Sequence, residues 1–166
     1  HIHHIRGDAV SVNRSNPQSN QAAARNTYIG RNYLHNCKEN IIDYKNGVTS
    51  VFSQNVCHTV RASDSSSGHA IPIHDDDPSA EWPGCDDIWI LFNTVYDADA
   101  GVKHENQNLF PTGKPSRSYV LGNVFFDIRQ IRGNANLAGV AIHKGQEAQS
   151  RIIGNTIHHC DHGIWI

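Results

Sequence analysis

The chain has 166 residues, of which 38% are hydrophobic and 18% are charged, and its formal net charge at pH 7 is −2. This length suits a single domain. The small negative charge argues against a nucleic-acid partner held by bulk electrostatics, and no apolar stretch reaches the length of a membrane span.

A short sequence pattern returns six times along the chain. Each copy starts with an asparagine and carries an apolar residue or a thiol two and five places later. The first copy, at His1, would need its asparagine one residue upstream, and the others begin at Asn32, Asn55, Asn93, Asn123 and Asn155. Repetition of this kind predicts that each copy is one structural unit stacked on the next. We expect each asparagine to occupy a turn with left-handed backbone angles, and its amide to bond to the next copy.

Three short strands are predicted in each copy, because apolar and polar residues alternate and no helical period is present. The first strand precedes the asparagine, at Tyr28-Ile29, Val51-Phe52, Ile88-Trp89-Ile90, Tyr119-Val120 and Ile152-Ile153. The second strand carries two inward columns, Ile2, Leu34, Cys57, Val95, Phe125, Ile157 and Ile5, Cys37, Val60, Ala98, Ile128, Cys160. The third strand alternates at Val10/Val12, Ile71/Ile73, Val140/Ile142 and Ile164/Ile166. These features predict an all-β fold, a single-stranded parallel β-helix (solenoid) of about five to six coils.

This asparagine pattern, with its two columns, resembles the repeat of the right-handed parallel β-helix in the pectate-lyase-like superfamily, over essentially the whole chain. The resemblance implies a right-handed solenoid, a scaffold shared by polysaccharide lyases, glycoside hydrolases and phage tailspikes. It also implies a secreted, periplasmic or cell-surface protein. Because the chain opens inside a coil and stops at Ile166 inside a strand, we expect a partial β-helix domain, 1–166, without its end caps.

Ring side chains and cysteines also follow the repeat. Three places after the asparagines stand His3, His35, His58, Tyr96, Phe126 and His158. This outward row either stacks as a structural feature or offers a flat strip for sugar rings or a transition metal. Cys37 and Cys160 share a column but lie four coils apart, roughly 19 Å at ~4.8 Å per coil, which is too far for a disulfide. Cys57 also faces inward, Cys85 is assigned to a loop, and a Cys37–Cys57 bridge stays open.

The third strands place ionisable side chains on their outer face. We expect Ile42 and Tyr44 to face inward, which turns Asp43 and Lys45 outward, and Lys103 and Glu105 face outward in the same way. Other coils add imidazoles, and neighbouring coils bring such groups within ~5–10 Å of one another. We therefore predict a catalytic patch made of Asp43, Lys45, His74, Lys103, Glu105 and His143. The competing interpretation is the ordinary polar face of a solenoid.

The longest insertions follow these same strands and are predicted to wall a groove. One of them carries Asp75, Asp76 and Asp77, which we predict as ligands for calcium. It also carries Trp82, which with Arg61 and Lys144 completes the candidate substrate-binding residues. A solvated turn cluster would explain the acidic loop without a metal.

The expected partner is an acidic polysaccharide that is cleaved by β-elimination. Such a reaction needs a cation to neutralise the substrate carboxylate and a base for the C5 proton, and Lys45 or Lys103 is the base candidate, with His74 or His143 assisting. Paired carboxylates on the same face leave glycoside hydrolysis as one alternative. The other alternative is a non-catalytic solenoid, either a glycan-binding protein or an adhesin or fibre segment.

Overall fold

The computed structural model describes residues 1–13, 24–61, 68–74, 85–105, 116–130, 139–145 and 148–166. All regular secondary structure in these ranges is β, and no helix in them is long and apolar enough to cross a membrane. The eighteen strands found there form three six-stranded sheets in which every pair is parallel. The predicted parallel β-helix of about six coils is confirmed.

Two of the three sheets take one strand from each of six coils. Sheet I precedes the asparagines and contains β3 (Ala24–Arg25), β4 (Tyr28–Gly30), β7 (Gly47–Ser53), β10 (Asp86–Leu91), β13 (Ser116–Leu121) and β16 (Ala148–Ile153). Sheet II follows them and contains β1 (Ile2–Ile5), β5 (Tyr33–Cys37), β8 (Val56–Val60), β11 (Thr94–Ala98), β14 (Val124–Ile128) and β17 (Thr156–His158). Sheet III contains β2 (Val10–Val12), β6 (Ile42–Lys45), β9 (His69–His74), β12 (Ala100–Glu105), β15 (Val140–Lys144) and β18 (His162–Trp165). Sheets II and III are the regular ones, whereas in sheet I the short strands β3 and β4 belong to one coil, since both pair with β7.

The five asparagines form a continuous ladder along the turn between sheets I and II. From Asn32 to Asn155, each Nδ2 donates to the Oδ1 of the next asparagine at 3.0 or 3.1 Å. The same Oδ1 accepts the backbone N–H of the preceding asparagine at 2.8 to 3.1 Å. The predicted amide bonding from coil to coil is confirmed, and it satisfies polar groups that are buried in the middle coils.

The left-handed backbone does not fall on the asparagines, so that part of the prediction is wrong. It falls on the residue before each of them, where φ is +53° to +64° at Arg31, Gln54, Phe92, Gly122 and Gly154. The left-handed residue of each turn thus lies one position earlier than predicted. The asparagine is selected for its amide, which can donate and accept at the same time, rather than for tolerance of positive φ.

A second left-handed position explains the spacing of the two inward columns. Strict strand alternation cannot turn residues two and five places after the asparagine to the same side. The residue four places after is left-handed in every coil, at His4, Asn36, Thr59, Asp97, Asp127 and His159. This kink resets the alternation, so Leu34 and Cys37, for example, are both buried.

The core is mostly aliphatic, but polar side chains also lie inside the coils, and some of them are paired. The Tyr44 hydroxyl lies 2.5 Å from the Ser50 hydroxyl, and both side chains are fully buried. The His104 imidazole lies between two serines, with Nε2 and Nδ1 each 2.8 Å from the hydroxyl oxygens of Ser116 and Ser118. Burial lowers the pKa of His104 to about 4, so the ring is neutral inside the core.

All four cysteines are free, which settles the Cys37–Cys57 bridge that the sequence left open. The two residues occupy different columns, since Cys57 pairs with Leu34 and Cys37 pairs with Val60. Cys85 lies directly before β10 and is buried, with its thiol 3.6 Å from the His74 carbonyl oxygen.

Candidate functional site

The six predicted catalytic residues lie together on the outer face of sheet III, which is called the sheet III patch below. They occupy two adjacent rows across the coils. One row runs through Ser11, Asp43, Pro72, Lys103, His143 and Trp165, and the other runs through Lys45, His74 and Glu105. Alternation with the buried Ile42, Tyr44 and Val102 turns both rows outward. Their catalytic roles stay predictions.

Asp43 is the centre of the lower half of the patch. Its Oδ1 accepts a hydrogen bond from His74 Nε2 at 2.8 Å, and its Oδ2 lies 3.4 Å from Lys45 Nζ. These neighbours cover the carboxylate, which is only 4% exposed although it stands on the outer face. Burial alone would raise the pKa of Asp43, but the hydrogen bond and charge of His74, followed by Lys45, lower it. The carboxylate is therefore ionised and fixes the orientation of the imidazole.

Lys103 and His143 form the upper half of the patch. Lys103 makes an ion pair with Glu105 on its own strand and is the register neighbour of His143 on the next coil. Burial, followed by the positive charge of Lys103, lowers the pKa of His143. Its Nδ1 is buried and has no hydrogen-bond partner in the part of the chain that the structure describes. The upper half thus offers a neutral imidazole next to an ammonium group.

The pairing of charges assigns different chemistry to the lysines and the histidines. Lys45 and Lys103 each make an ion pair with a carboxylate. Such lysines suit neutralisation of a bound carboxylate better than proton abstraction. His74 is oriented by Asp43 in the way that a base is commonly held for proton transfer.

Two predicted substrate-binding residues lie away from this patch. Arg61 follows β8, and its guanidinium donates to the Val60 and Asp97 carbonyl oxygens at 3.0 and 2.6 Å and forms an ion pair with the Asp97 side chain. Lys144 is the register neighbour of the inward-facing His104 and lies beside sheet I. Among the described residues, neither side chain makes a hydrogen bond or an ion pair with the sheet III patch, although Lys144 follows His143 directly in the chain.

The predicted calcium ligands Asp75, Asp76 and Asp77, and the predicted aromatic Trp82, lie outside the described residues. In the ranges that the structure does describe, no three His, Cys, Asp or Glu side chains are grouped so as to hold a metal ion. The calcium site stays a prediction of the sequence.

Sequence reasoning missed Trp165 as a member of the patch. Its ring extends the row of His143 by one coil, lies 6.4 Å from that imidazole edge-on, and is 46% exposed. The sequence does indicate this position. Ile164 and Ile166 are predicted to face inward, so the residue between them must face outward. An exposed indole at the end of an ionisable row suits contact with a sugar ring.

The outward row of sheet II forms the continuous stack that the sequence indicated. From His3 through His35, His58 and Tyr96 to Phe126, successive ring centroids lie 4.5 to 5.2 Å apart and the planes are within 13° of parallel. These contacts favour the structural interpretation, because each ring is already covered on its faces by its neighbours.

No family model matches the chain, and neither the curated proteins nor the solved structures include a significant match.

Proposed function

We propose that this β-helix protein binds an acidic polysaccharide on the sheet III patch and cleaves it by β-elimination. The observation that carries the proposal is the hydrogen bond between Asp43 and His74 beside two lysines. In this arrangement an oriented imidazole lies near cations that can neutralise a uronate carboxylate. The same assignment relates the chain to the pectate-lyase-like superfamily, whose repeat its sequence resembles, and to a secreted or surface location.

The proposed step uses His74 as the base. Its imidazole accepts the C5 proton, the C4–O4 bond breaks, and the electron pair forms the C4=C5 double bond while solvent protonates the leaving oxygen. Lys103 and Lys45 stabilise the negative charge that develops on the substrate carboxylate. Trp165 positions a sugar ring at the end of the row.

The two carboxylates of the predicted patch, Asp43 and Glu105, support elimination better than hydrolysis. A glycoside hydrolase needs one carboxyl group that is protonated near neutral pH and acts as the general acid. The pKa of Asp43 is lowered rather than raised, and Glu105 makes an ion pair with Lys103. The environment of Asp43 therefore does not keep a proton on its carboxyl group, and Glu105 is paired with a cation.

The proposal is tested by ultraviolet absorbance of unsaturated products, with alginate, pectate and glycosaminoglycans as substrates, each with and without calcium. We expect product from one substrate, and a loss of about 100-fold or more in His74→Ala, since general base catalysis contributes about that much. The matched control is His159→Ala, which removes an exposed histidine from the far turn of sheet II. Absence of product from every substrate, or undiminished product from His74→Ala, would contradict the proposal.

Glycan binding without cleavage is the second candidate, and a cleft on sheet I that is lined by Lys144 and Arg151 favours it. Retention of one acidic polysaccharide on an affinity gel, together with no ultraviolet signal from it, would establish this role. Binding that Trp165→Ala and Lys103→Gln leave unchanged would place the glycan away from the sheet III patch.

A further inference from the structure

A pair of stacked aromatic rings lies on the outer face of sheet I, away from the sheet III patch. Val51, Trp89, Tyr119 and Arg151 follow one another in register on four coils. The Trp89 and Tyr119 rings stack with a centroid distance of 4.0 Å and an angle of 13°, and Trp89 Nε1 donates to Asp87 Oδ1 at 3.0 Å. Arg151 Cζ lies 5.9 Å from the centroid of the Tyr119 ring. These two stacked rings, called the platform below, are therefore held in place, with a guanidinium group at the Tyr119 end.

A cavity of about 370 Å³ lies beside this platform and is called the sheet I cleft. Its lining consists of Arg117, Tyr119, Lys144, Gln149, Ser150 and Arg151. Three of the six side chains are cationic and none is a carboxylate. The volume falls within the range of small-molecule sites, and the charge of the lining selects an anion.

The three cations differ in how their charge is balanced. Arg117 donates through Nε and Nη2 to the two oxygens of Asp86, at 2.8 and 2.7 Å, and this pairing raises the pKa of the guanidinium. Arg117 is thus held in place and neutralised. Lys144 and Arg151 have no ion pair with any residue that the structure describes. Within the part of the chain that the structure describes, two positive charges of the cleft therefore have no carboxylate partner.

We propose that the sheet I cleft is a second binding site, which takes one acidic sugar of an anionic polysaccharide. The carboxylate or sulfate group lies between Lys144 and Arg151, where charge-assisted hydrogen bonds form from both sides. The sugar ring contacts Tyr119, and Gln149 bonds to its hydroxyl groups. The inference shares the ligand class of the proposed function and does not require cleavage.

The position of Lys144 connects the two surfaces. It follows His143 directly at the end of β15, and the next strand, β16, belongs to sheet I. A polysaccharide that crosses this edge of the solenoid therefore passes from the sheet III patch to the sheet I cleft. Binding in the cleft would hold the chain while the patch acts on a neighbouring sugar.

The test is calorimetric titration of the full chain with tetragalacturonate, and with neutral galactotetraose and sodium sulfate as comparison probes. We expect tetragalacturonate to bind, galactotetraose to bind at least tenfold more weakly, and Lys144→Gln and Arg151→Gln each to weaken tetragalacturonate binding about tenfold, because each removes one charge-assisted contact. Arg129→Gln is the matched control, since it removes one exposed arginine after sheet II and is expected to change nothing. Circular dichroism of each variant verifies that the solenoid is folded.

The outcomes separate the cleft from the patch. Suppose that Lys103→Gln abolishes tetragalacturonate binding while Lys144→Gln and Arg151→Gln leave it unchanged. The proposed binding site in the cleft is then contradicted, and binding at the sheet III patch is supported. If Arg151→Gln weakens binding and no unsaturated product ever forms, the binding site in the cleft is supported and the proposed lyase activity is contradicted. Sulfate that binds as tightly as tetragalacturonate, together with no loss in Tyr119→Ala, would overturn the sugar assignment.

Discussion

Asp43 and His74 are 31 residues apart in the chain, yet Oδ1 and Nε2 lie 2.8 Å apart on neighbouring coils. The solenoid brings them together because β6 and β9 are adjacent parallel strands of sheet III. The carboxylate is 4% exposed and also contacts Lys45, so it is the best-buried charge of the patch. Orientation of His74 and stability of the middle coils both depend on it.

Asp43→Asn is expected to reduce both stability and the proposed activity. The amide keeps the volume of the side chain but removes the charge that contacts His74 and Lys45, so the free energy of unfolding should fall by about 1–3 kcal/mol. The lowered pKa of Asp43 gives a second signature. The stabilisation by this group is present above pH 3.8, its ordinary value, and is lost as pH falls through the lower folded pKa.

Urea unfolding of both proteins at neutral pH and at acid pH checks this prediction. The difference between the two proteins should shrink in acid, because protonation removes the same charge from the wild-type chain. A difference that stays constant as the pH falls would show that the charge of Asp43 does not contribute.

Asn93→Ala is expected to be among the most damaging changes in the asparagine ladder. Its Nδ2 donates to Phe52 O and to Asn123 Oδ1, its Oδ1 accepts two hydrogen bonds from Asn55, and all three asparagines are buried. Alanine leaves those partners unsatisfied, so we expect a loss of about 3–5 kcal/mol in the free energy of unfolding.

The control for this change is Asn32→Ala at the partly exposed end of the ladder. Asn32 Nδ2 donates to Gly30 O and Asn55 Oδ1, and both acceptors keep other partners or solvent nearby. Denaturant unfolding should therefore show a clearly smaller loss than for Asn93→Ala. Equal losses would mean that the ladder acts through its backbone turn and not through the amides.

Gly122 and Gly154 occupy equivalent turns and allow backbone strain to be separated from packing. Both have φ of +64°, where an alanine costs roughly 1 kcal/mol or more. A Cβ at Gly122 would lie 2.6 Å from Phe92 Cε1, whereas a Cβ at Gly154 would have nothing within 4 Å. We expect Gly122→Ala to destabilise the protein more than Gly154→Ala does.

A double-mutant cycle measures the difference. In a Phe92→Ala background the ring is gone, so Gly122→Ala should cost no more than Gly154→Ala, and thermal unfolding of the four variants reports it. If Gly122→Ala destabilises the protein equally with and without Phe92, the ring moves aside freely and the loss of stability comes from backbone strain alone.

The repeat predicted the fold because each column obeys one geometric rule in all coils. Leu34 and Cys57 could be placed inward from spacing alone, and their register is observed. The left-handed residues could not be placed, since Phe92, Gln54 and Arg31 share no chemical property that marks positive φ. Their conformation is imposed by the ladder and by stacking of neighbouring coils.

The candidate site could be predicted only in part from the sequence, for a related reason. Alternation put Asp43 on the outer face, but its burial depends on side chains of two different strands. Lys144 sits at a strand end, where alternation assigns it to the row of the inward His104, and it faces the cleft beside sheet I. Contacts that cross between sheets are not encoded in the period of any one strand.

The buried His104 is expected to make the folded state sensitive to mild acid. Burial lowers its pKa from 6.5 to about 4, so below pH 6.5 the unfolded chain binds a proton that the folded protein does not. Stability should therefore be complete above pH 6.5 and fall as the pH drops toward 4. The full difference corresponds to about 3 kcal/mol, at 1.36 kcal/mol for each pKa unit. His69, with a pKa lowered to about 3 by burial and then by Lys103, adds to the same trend.

Urea unfolding of wild type and His104→Gln between pH 7 and pH 4 isolates the contribution of this residue. Glutamine can still bond to Ser116 and Ser118 but binds no proton. The free energy of unfolding of the variant should therefore fall less over this range, and the slopes of the two proteins against pH should differ by the uptake of about one proton. The trend due to His69 stays in both proteins and cancels in the comparison. Parallel pH profiles for the two proteins would show that His104 takes up its proton in the folded core as readily as in the unfolded chain.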